Sequence, residues 1–283
     1  MSEATDIDGQ RARARSRVTP DACTSAVFAM LGAVLTAALL VLCSYAGRSY
    51  AEPLLLAGAY LLSGLMVAVG WARLLCLPRE RSSALVLGVA AAAMTAIVAL
   101  TDDFEGIRWV TAALAISLAL VFLHTLTRRG GPGRVVVSLS SMALGLGALA
   151  SGAFIADAVL RENGRETVVA ALAAAAVGAV IDNGLRGNAR LSQWRLPTSL
   201  VVGVLIGVGT SMVAGIPWNA PLLAGLLGAG MSHAFREIIS APVARAGIDR
   251  SGTAPAQLAL GAASVLFVGV LPTVVIWLFQ RIS

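Results

Sequence analysis

Residues 24–46, "TSAVFAMLGAVLTAALLVLCSYA", contain no charged side chain over 23 positions. A helix needs about 20 apolar residues to cross the hydrocarbon core of a bilayer, so this stretch predicts a transmembrane helix. Similar runs recur along the 283 residues of the chain, which is 58% hydrophobic and has a mean hydropathy of +0.83. So much apolar sequence exceeds one soluble core and predicts an all-α, polytopic integral membrane protein.

The chain divides into about nine candidate spans by the same measure. They cover residues 24–46, 53–75, 83–101, 109–127, 135–158, 167–185, 198–216, 220–240 and 257–279. Spans three and six are among the shortest, at 19 residues each, and are the richest in Ala, so we expect other helices to enclose them. An eight-span bundle that lacks one of these two is the main alternative. Residues 1–22 are polar and predict a disordered cytoplasmic arm, followed by a single transmembrane domain over 23–283.

The arginines orient this bundle. All 21 basic residues are Arg, and cytoplasmic loops carry an excess of basic residues. With the N-terminus in the cytoplasm, 16 of the 21 fall on the cytoplasmic side, and every loop alternates as this rule requires. The sequence thus predicts a cell inner (plasma) membrane protein whose C-terminus lies outside. Among the aromatic residues, Trp71 and Trp194 are expected to mark the cytoplasmic interface.

The net charge of +6 also bears on partners. No basic patch is interleaved with aromatic residues, so nucleic acid is not indicated. Anionic lipid headgroups at the cytoplasmic face are the expected partners of the arginines. A membrane-protein partner or a homo-oligomer is left open.

Small residues recur at the four-residue spacing that lets membrane helices approach closely. Span seven carries Gly203 and Gly207, and span eight carries Gly225 and Gly228. These four glycines are predicted packing positions, and spans five, seven and eight are expected to form the tightly packed centre. Backbone hinging during transport is the functional alternative to ordinary packing.

One internal similarity suggests a weak repeat. Residues 52–64, "EPLLLAGAYLLSG", resemble residues 220–232, "APLLAGLLGAGMS". Spans one to three would then recur as spans seven to nine in the same orientation. Ala, Gly and Leu dominate the match, so chance similarity explains it equally well. Transporters often contain such duplications and bind substrate between them.

The polar segment that most needs an explanation is residues 228–242, "GAGMSHAFREIISAP". It places Ser232, His233, Arg236 and Glu237 on one broad helical face, because His233 and Glu237, like Ser232 and Arg236, are four residues apart. Charged groups inside a membrane are costly and usually functional. The alternative is a helix end at which paired charges meet cytoplasmic water.

Two further polar positions lie at the predicted cytoplasmic ends of other spans. Asp182 follows fifteen residues of span six, and His124 precedes two arginines at the end of span four. Asp182 is followed by Asn and Gly, which commonly end helices. We expect His124, Asp182, Ser232, His233, Arg236 and Glu237 to line one inward-facing polar pocket if they converge.

Metal and cofactor sites are not indicated. Asp102, Asp103 and Glu105 form the one acidic cluster, which is more simply solvated charge than a cation site. The three cysteines are scattered without metal-ligand spacing. The sequence has no Walker, GxSxG or HExxH motif, and the absence of Lys excludes a Schiff-base lysine.

Two functions remain. The first is a non-enzymatic protein of the cell envelope, either a transporter or flippase-like permease of a lipid-like or small apolar substrate, or a subunit of a larger membrane assembly. It agrees with the small-residue helices and the lack of catalytic motifs. The second is a membrane-embedded lipid or prenyl-phosphate transferase with a cytoplasmic-side site, in which Arg236 holds phosphate and His233 or Glu237 moves protons.

Overall fold

The computed structural model describes residues 20–46, 52–77, 80–100, 106–126, 132–186, 190–246 and 253–282. Within these ranges the chain is helical and contains no strand. The acidic cluster of Asp102, Asp103 and Glu105 lies outside the described residues, as does the predicted arm up to residue 19. Helix α1 begins at Pro20, so the last three residues of the predicted arm are helical.

Ten α-helices follow one another along the chain. They are α1 (Pro20–Ala46), α2 (Glu52–Leu74), α3 (Glu80–Leu100), α4 (Gly106–Leu126), α5 (Pro132–Leu160), α6 (Gly164–Leu185), α7 (Arg195–Ala214), α8 (Asn219–Ala246), α9 (Ala254–Leu266) and α10 (Val270–Ile282). A short 3-10 turn, Ser192–Trp194, leads into α7, and a second, Phe267–Gly269, joins α9 to α10. Because α9 and α10 form one continuous span, the ten helices of the described residues make nine helical rods, one for each candidate span.

Eight of the rods are long and apolar enough to cross a membrane. This confirms the all-α, multi-pass membrane fold. The ninth rod, α8, is long enough at 28 residues but carries too many polar side chains to meet the same measure of apolarity. The difference between eight and nine spans therefore arises at α8, and not at span three or six as the sequence suggested.

Helix α9 occupies the centre of the bundle. Every residue from Ala259 to Leu266 is buried. The helix packs against α1, α2, α5, α6 and α8. At Gly261 the backbone of α1 comes so close that any Cβ would collide with the carbonyl of Ala29. Small residues therefore let α9 touch several neighbours at once.

The last span tightens into a 3-10 turn at Phe267–Gly269, although its backbone stays right-handed helical on both sides. Pro272 has no N–H to donate to the carbonyl of Val268 four residues earlier, and its ring disfavours a regular helix there. Ser151 of α5 satisfies two backbone groups at this turn, because its Oγ donates to the carbonyl of Phe267 (2.7 Å) and accepts from the N–H of Val270 (3.1 Å). The turn is thus held by a side chain from a different helix.

Three expectations about packing are wrong. Span three is not enclosed, since only 33% of an apolar 18-residue stretch of it is buried and Leu85 is 66% exposed. Span seven is peripheral, because only 22% of its apolar 18-residue stretch is buried, and α9 occupies the centre of the bundle instead. Trp71 does not mark an interface, because it is fully buried and donates its indole N–H to the carbonyl of Ser141 (2.9 Å). The repeat of spans one to three in spans seven to nine stays a prediction.

Candidate functional site

Five polar side chains meet where α6, α8 and α9 pack together. They are Asp182 from α6, Ser232, His233 and Arg236 from α8, and Ser264 from α9, and we call them the charge cluster. All five are buried, with Arg236 only 5% and Asp182 only 6% exposed. The apolar faces of three helices therefore enclose one carboxylate and one guanidinium.

Asp182 is the centre of the charge cluster. One carboxylate oxygen lies 2.7 Å from Nδ1 of His233. The other accepts from Nη2 of Arg236 at 2.6 Å and from its Nε at 3.2 Å. A carboxylate that receives two donors from a guanidinium forms one of the stronger pairings found in proteins. This pairing satisfies the charge of Asp182, which would be costly to bury alone.

The remaining donor group of Arg236 reaches α9. Its Nη1 donates to the hydroxyl of Ser232 on the same helix and to that of Ser264 on α9 (3.2 Å). Ser264 in turn donates to the carbonyl of Gly261 (2.8 Å). All three nitrogens of the guanidinium are therefore engaged, and Arg236 connects α6 to α9 through α8.

His233 has one engaged and one open ring nitrogen. Since a carboxylate only accepts, the proton of the neutral ring resides on Nδ1 and is donated to Asp182. The Nε2 atom then becomes the acceptor of the neutral ring. It makes no hydrogen bond within the described part of the chain, and the side chain is 11% exposed. Asp182 therefore fixes the orientation of the His233 ring, and Nε2 makes no hydrogen bond to the described residues.

The charge cluster lies deep along α8. Ser232 and His233 occupy the midpoint of this helix, and α8 continues for ten residues beyond Arg236. At about 1.5 Å per residue, Arg236 is about 26 Å from the start of α8 and about 15 Å from its end. Arg236 therefore does not sit at a helix terminus, as the simpler interpretation of the sequence held. Asp182, three residues from the end of α6, does lie in a last turn.

Glu237 and His124 are not members of the charge cluster. The carboxylate of Glu237 is 41% exposed and accepts from Nη1 of Arg195 on α7 (2.9 Å). This pair links α7 to α8 one residue further along than Arg236. His124 lies in the last turn of α4, which packs on α3 and α5 rather than on α6 or α8. The structure thus brings together four of the six expected polar residues.

Sequence reasoning missed two residues of this region. Ser264 belongs to the charge cluster, but a serine in an apolar helix is too common to be noticed. The second is Ser199 of α7, whose buried hydroxyl has no hydrogen-bond partner. Both Ser199 Oγ and Nη2 of Arg236 would lie within 3.9 Å of a Cβ built on Gly178. Ser199 thus provides an unused acceptor near the guanidinium.

The four predicted packing glycines lie at two helix contacts. Gly203 of α7 faces Gly225 of α8, where a Cβ on Gly203 would stand 2.5 Å from the carbonyl oxygen of Gly225. Gly207 faces the backbone of the first turn of α8. Gly228 lies against α6, since a Cβ there would meet the carbonyl oxygen of Ala171 at 2.6 Å. The backbones of α6 and α7 therefore touch α8 on two sides.

A cavity of about 480 Å³ lies at the opposite end of the same helices. It is bounded by the starts of α6 and α8, the turn before α8 and the end of α10. Amides from Asn163, Asn219 and Gln280 line it together with Glu162 and the apolar ring of Phe279. Sites for small ligands usually measure 300–1,000 Å³ and combine apolar walls with a few polar groups.

Among the described residues, no three His, Cys, Asp or Glu side chains gather as a metal ion would require. No family model matches this chain, and neither the curated proteins nor the solved structures provide a match. We therefore infer the function from the charge cluster, the 3-10 turn in the last span and the cavity.

Proposed function

We propose that this protein is a permease of the cell envelope that moves a lipid-like or small apolar substrate across the inner membrane. The observation that carries the proposal is the 3-10 turn inside the last span, since a 3-10 stretch within a helix often marks a functional hinge. This turn begins three residues after Ser264, so it lies one helical turn from a buried ion pair. Secondary transporters commonly place irregular helical segments beside their buried polar groups.

The two ends of the α6–α7–α8 group support this proposal. In the half of α8 that leads to Ala246, the pairs Arg236–Asp182 and Arg195–Glu237 tie α8 to the last turn of α6 and to the first residue of α7. At the end that carries Asn219, the cavity separates α6, α8 and α10. With the N-terminus in the cytoplasm, the tied end faces inward and the cavity faces outward. This is the arrangement expected of a permease closed on its cytoplasmic side.

The lining of the cavity favours an amphiphilic substrate. Its amides can bind a polar headgroup, and Ile276 and Phe279 can contact an apolar chain. On the cytoplasmic side, Arg186 and Arg190 are exposed near the end of α6, where anionic lipid headgroups would bind them. A transferase receives less support, because every nitrogen of Arg236 is engaged inside the bundle and none is free for a phosphate.

The test is movement of a fluorescent lipid. The protein is reconstituted in vesicles of phosphatidylethanolamine and phosphatidylglycerol that contain a trace of NBD-labelled phosphatidylethanolamine, and dithionite is added outside. Protein-dependent bleaching of the inner-leaflet label is expected. Gly207→Leu should abolish it, because its side chain would collide with the carbonyl of Pro221.

Gly209→Leu is the matched control on the same helix, since nothing lies within 4 Å of a Cβ at Gly209. It should bleach like the unaltered protein. Absence of protein-dependent bleaching, or normal bleaching by Gly207→Leu, would contradict the proposal. If the chain acts instead as a subunit of a larger assembly, gentle detergent extraction should recover a stable partner.

A further inference from the structure

The open nitrogen of His233 suggests what drives such a permease. An imidazole is the side chain best suited to exchange a proton at physiological pH. In His233 the Nδ1 side is fixed by Asp182 at 2.7 Å, whereas Nε2 has no partner among the described residues. This is the arrangement of a group that binds and releases a proton on one side while its orientation is held from the other.

The charges around His233 balance only when its ring is neutral. Asp182 and Arg236 cancel each other inside the bundle, so a proton on Nε2 raises the charge of the cluster from zero to +1. The helices packed on α8 bring few other charged side chains towards His233. The described residues of α9 include no charged side chain. Glu237 on α8 and Arg186 after α6 act electrostatically on Arg236, and Arg195 on α7 pairs with Glu237.

Glu237 is the next carboxylate along α8 after His233. It stands four residues further along α8, so the two side chains are neighbours on one face of the helix. Its carboxylate is 41% exposed. A proton that arrives from water at the end carrying Ala246 therefore meets an accessible carboxylate one turn before the buried ring.

Proton binding would alter the junction of three helices. A protonated His233 competes with Arg236 for Asp182, and the buried excess of positive charge is unfavourable. Ser199 offers an unpartnered hydroxyl beside Gly178, since its Oγ and Nη2 of Arg236 lie 3.8 Å and 3.9 Å from the Cβ position of that glycine. Movement of Arg236 away from Asp182 would weaken the contact between α6 and α8. It would also change the hydrogen bond from Arg236 to Ser264, which lies three residues before the 3-10 turn of the last span. Proton occupancy thus shifts the balance between a closed and an open end.

We propose that His233 is a proton-binding site that couples proton movement to the transport proposed above, with Asp182 orienting the ring and Arg236 acting as the displaceable counter-cation. The proposal rests on the permease function. The proton is taken from water onto Nε2 and released from the same atom, and no covalent bond other than N–H forms or breaks.

The first experiment measures coupling. Vesicles carrying the NBD-labelled lipid are given a pH difference of one unit across the membrane. The rate of lipid movement is expected to change by up to about tenfold, since one pH unit changes the proton activity tenfold. His233→Asn should remove this dependence, because its amide retains a donor to Asp182 but cannot be protonated. His124→Gln is the matched control, and it should keep the dependence.

The second experiment observes the site directly and needs no transported substrate. In the His124→Gln protein, which has one histidine, ¹⁵N NMR in detergent follows His233 alone. We expect its Nε2 signal to titrate over the pH range in which the vesicle assay responds, and Glu237→Gln to slow the proton exchange. A signal that does not move between about pH 5 and 8 would overturn the proton site.

The two proposals can fail separately. Lipid movement that ignores the pH difference, and is equally fast in His233→Asn, would overturn the proton coupling and leave the permease intact. Titration of His233 without any movement of the lipid probe would support the proton site and contradict the permease of lipid-like substrates. Circular dichroism and size-exclusion chromatography of His233→Asn exclude loss of fold as the cause of a negative result.

Discussion

Removing the charge of Asp182 should destabilise the fold more than removing that of Arg236. In Asp182→Asn the guanidinium stays buried without a carboxylate, because Glu237 is held by Arg195. A buried charge left without its partner costs about 3–5 kcal/mol. In Arg236→Met the carboxylate keeps its hydrogen bond from Nδ1 of His233 (2.7 Å), so we expect a loss of roughly 2 kcal/mol. The double variant Asp182→Asn/Arg236→Met leaves no buried charge and should recover most of the loss.

The assay is thermal unfolding in detergent, followed as the fraction of monodisperse protein that survives heating, because unfolding of such proteins is commonly irreversible. At about 2–4 °C per kcal/mol, Asp182→Asn should lower the midpoint by on the order of 10 °C. The matched controls are Arg195→Met and Glu237→Gln, which break a partly exposed ion pair worth about 0–1 kcal/mol. A shift for Asp182→Asn no larger than theirs, or a double variant less stable than Asp182→Asn, would refute the reasoning.

Two further substitutions test the 3-10 turn of the last span and the cavity. Ser151→Ala leaves the carbonyl and the N–H at the 3-10 turn without their partner, and should lower stability by about 1–3 kcal/mol in the same heating assay. Ser140→Ala, which removes an exposed hydroxyl bonded only within its own helix, should have little effect, and equal losses would contradict this role of Ser151. Ala220→Trp should fill the cavity and slow bleaching of the lipid probe. Val213→Trp, at a position that is 92% exposed, should leave bleaching unchanged. Unchanged bleaching in Ala220→Trp would show that the cavity is not needed for transport.

The fold could be predicted because the bilayer imposes a length and an apolar composition on every span. The predicted span 198–216 and helix α7, Arg195–Ala214, differ by no more than three residues at either end. The prediction was weakest at α8, which was expected to end near residue 240 but extends to Ala246. Hydropathy falls at Arg236 and Glu237, and their partners on α6 and α7 are distant in sequence. Hydropathy along the chain treats Arg236 and Glu237 as unpaired charges, although each is neutralised by an ion pair with a neighbouring helix.

The candidate site was only partly predictable for the same reason. Spacing along one helix correctly grouped Ser232, His233 and Arg236 on one face, since that depends only on the helical period. Whether Asp182 or His124 joins them depends on which helices are neighbours. The sequence offered both with equal weight, but α6 packs on α8 and α4 does not. Trp71 was misplaced because an indole suits an interface and an interior equally, provided that its N–H finds an acceptor.

The polar character of α8 has a consequence for biosynthesis. A charged residue near the middle of a helix disfavours its insertion by the translocon by about 2.5–3.5 kcal/mol, so α8 alone should enter the membrane poorly. Asp182 is synthesised 54 residues before Arg236, and its helix is therefore already in place when α8 emerges. We expect nascent α8 to pass from the translocon directly onto α6, and a chain without this carboxylate to be recognised by membrane quality-control proteases before it reaches maturity.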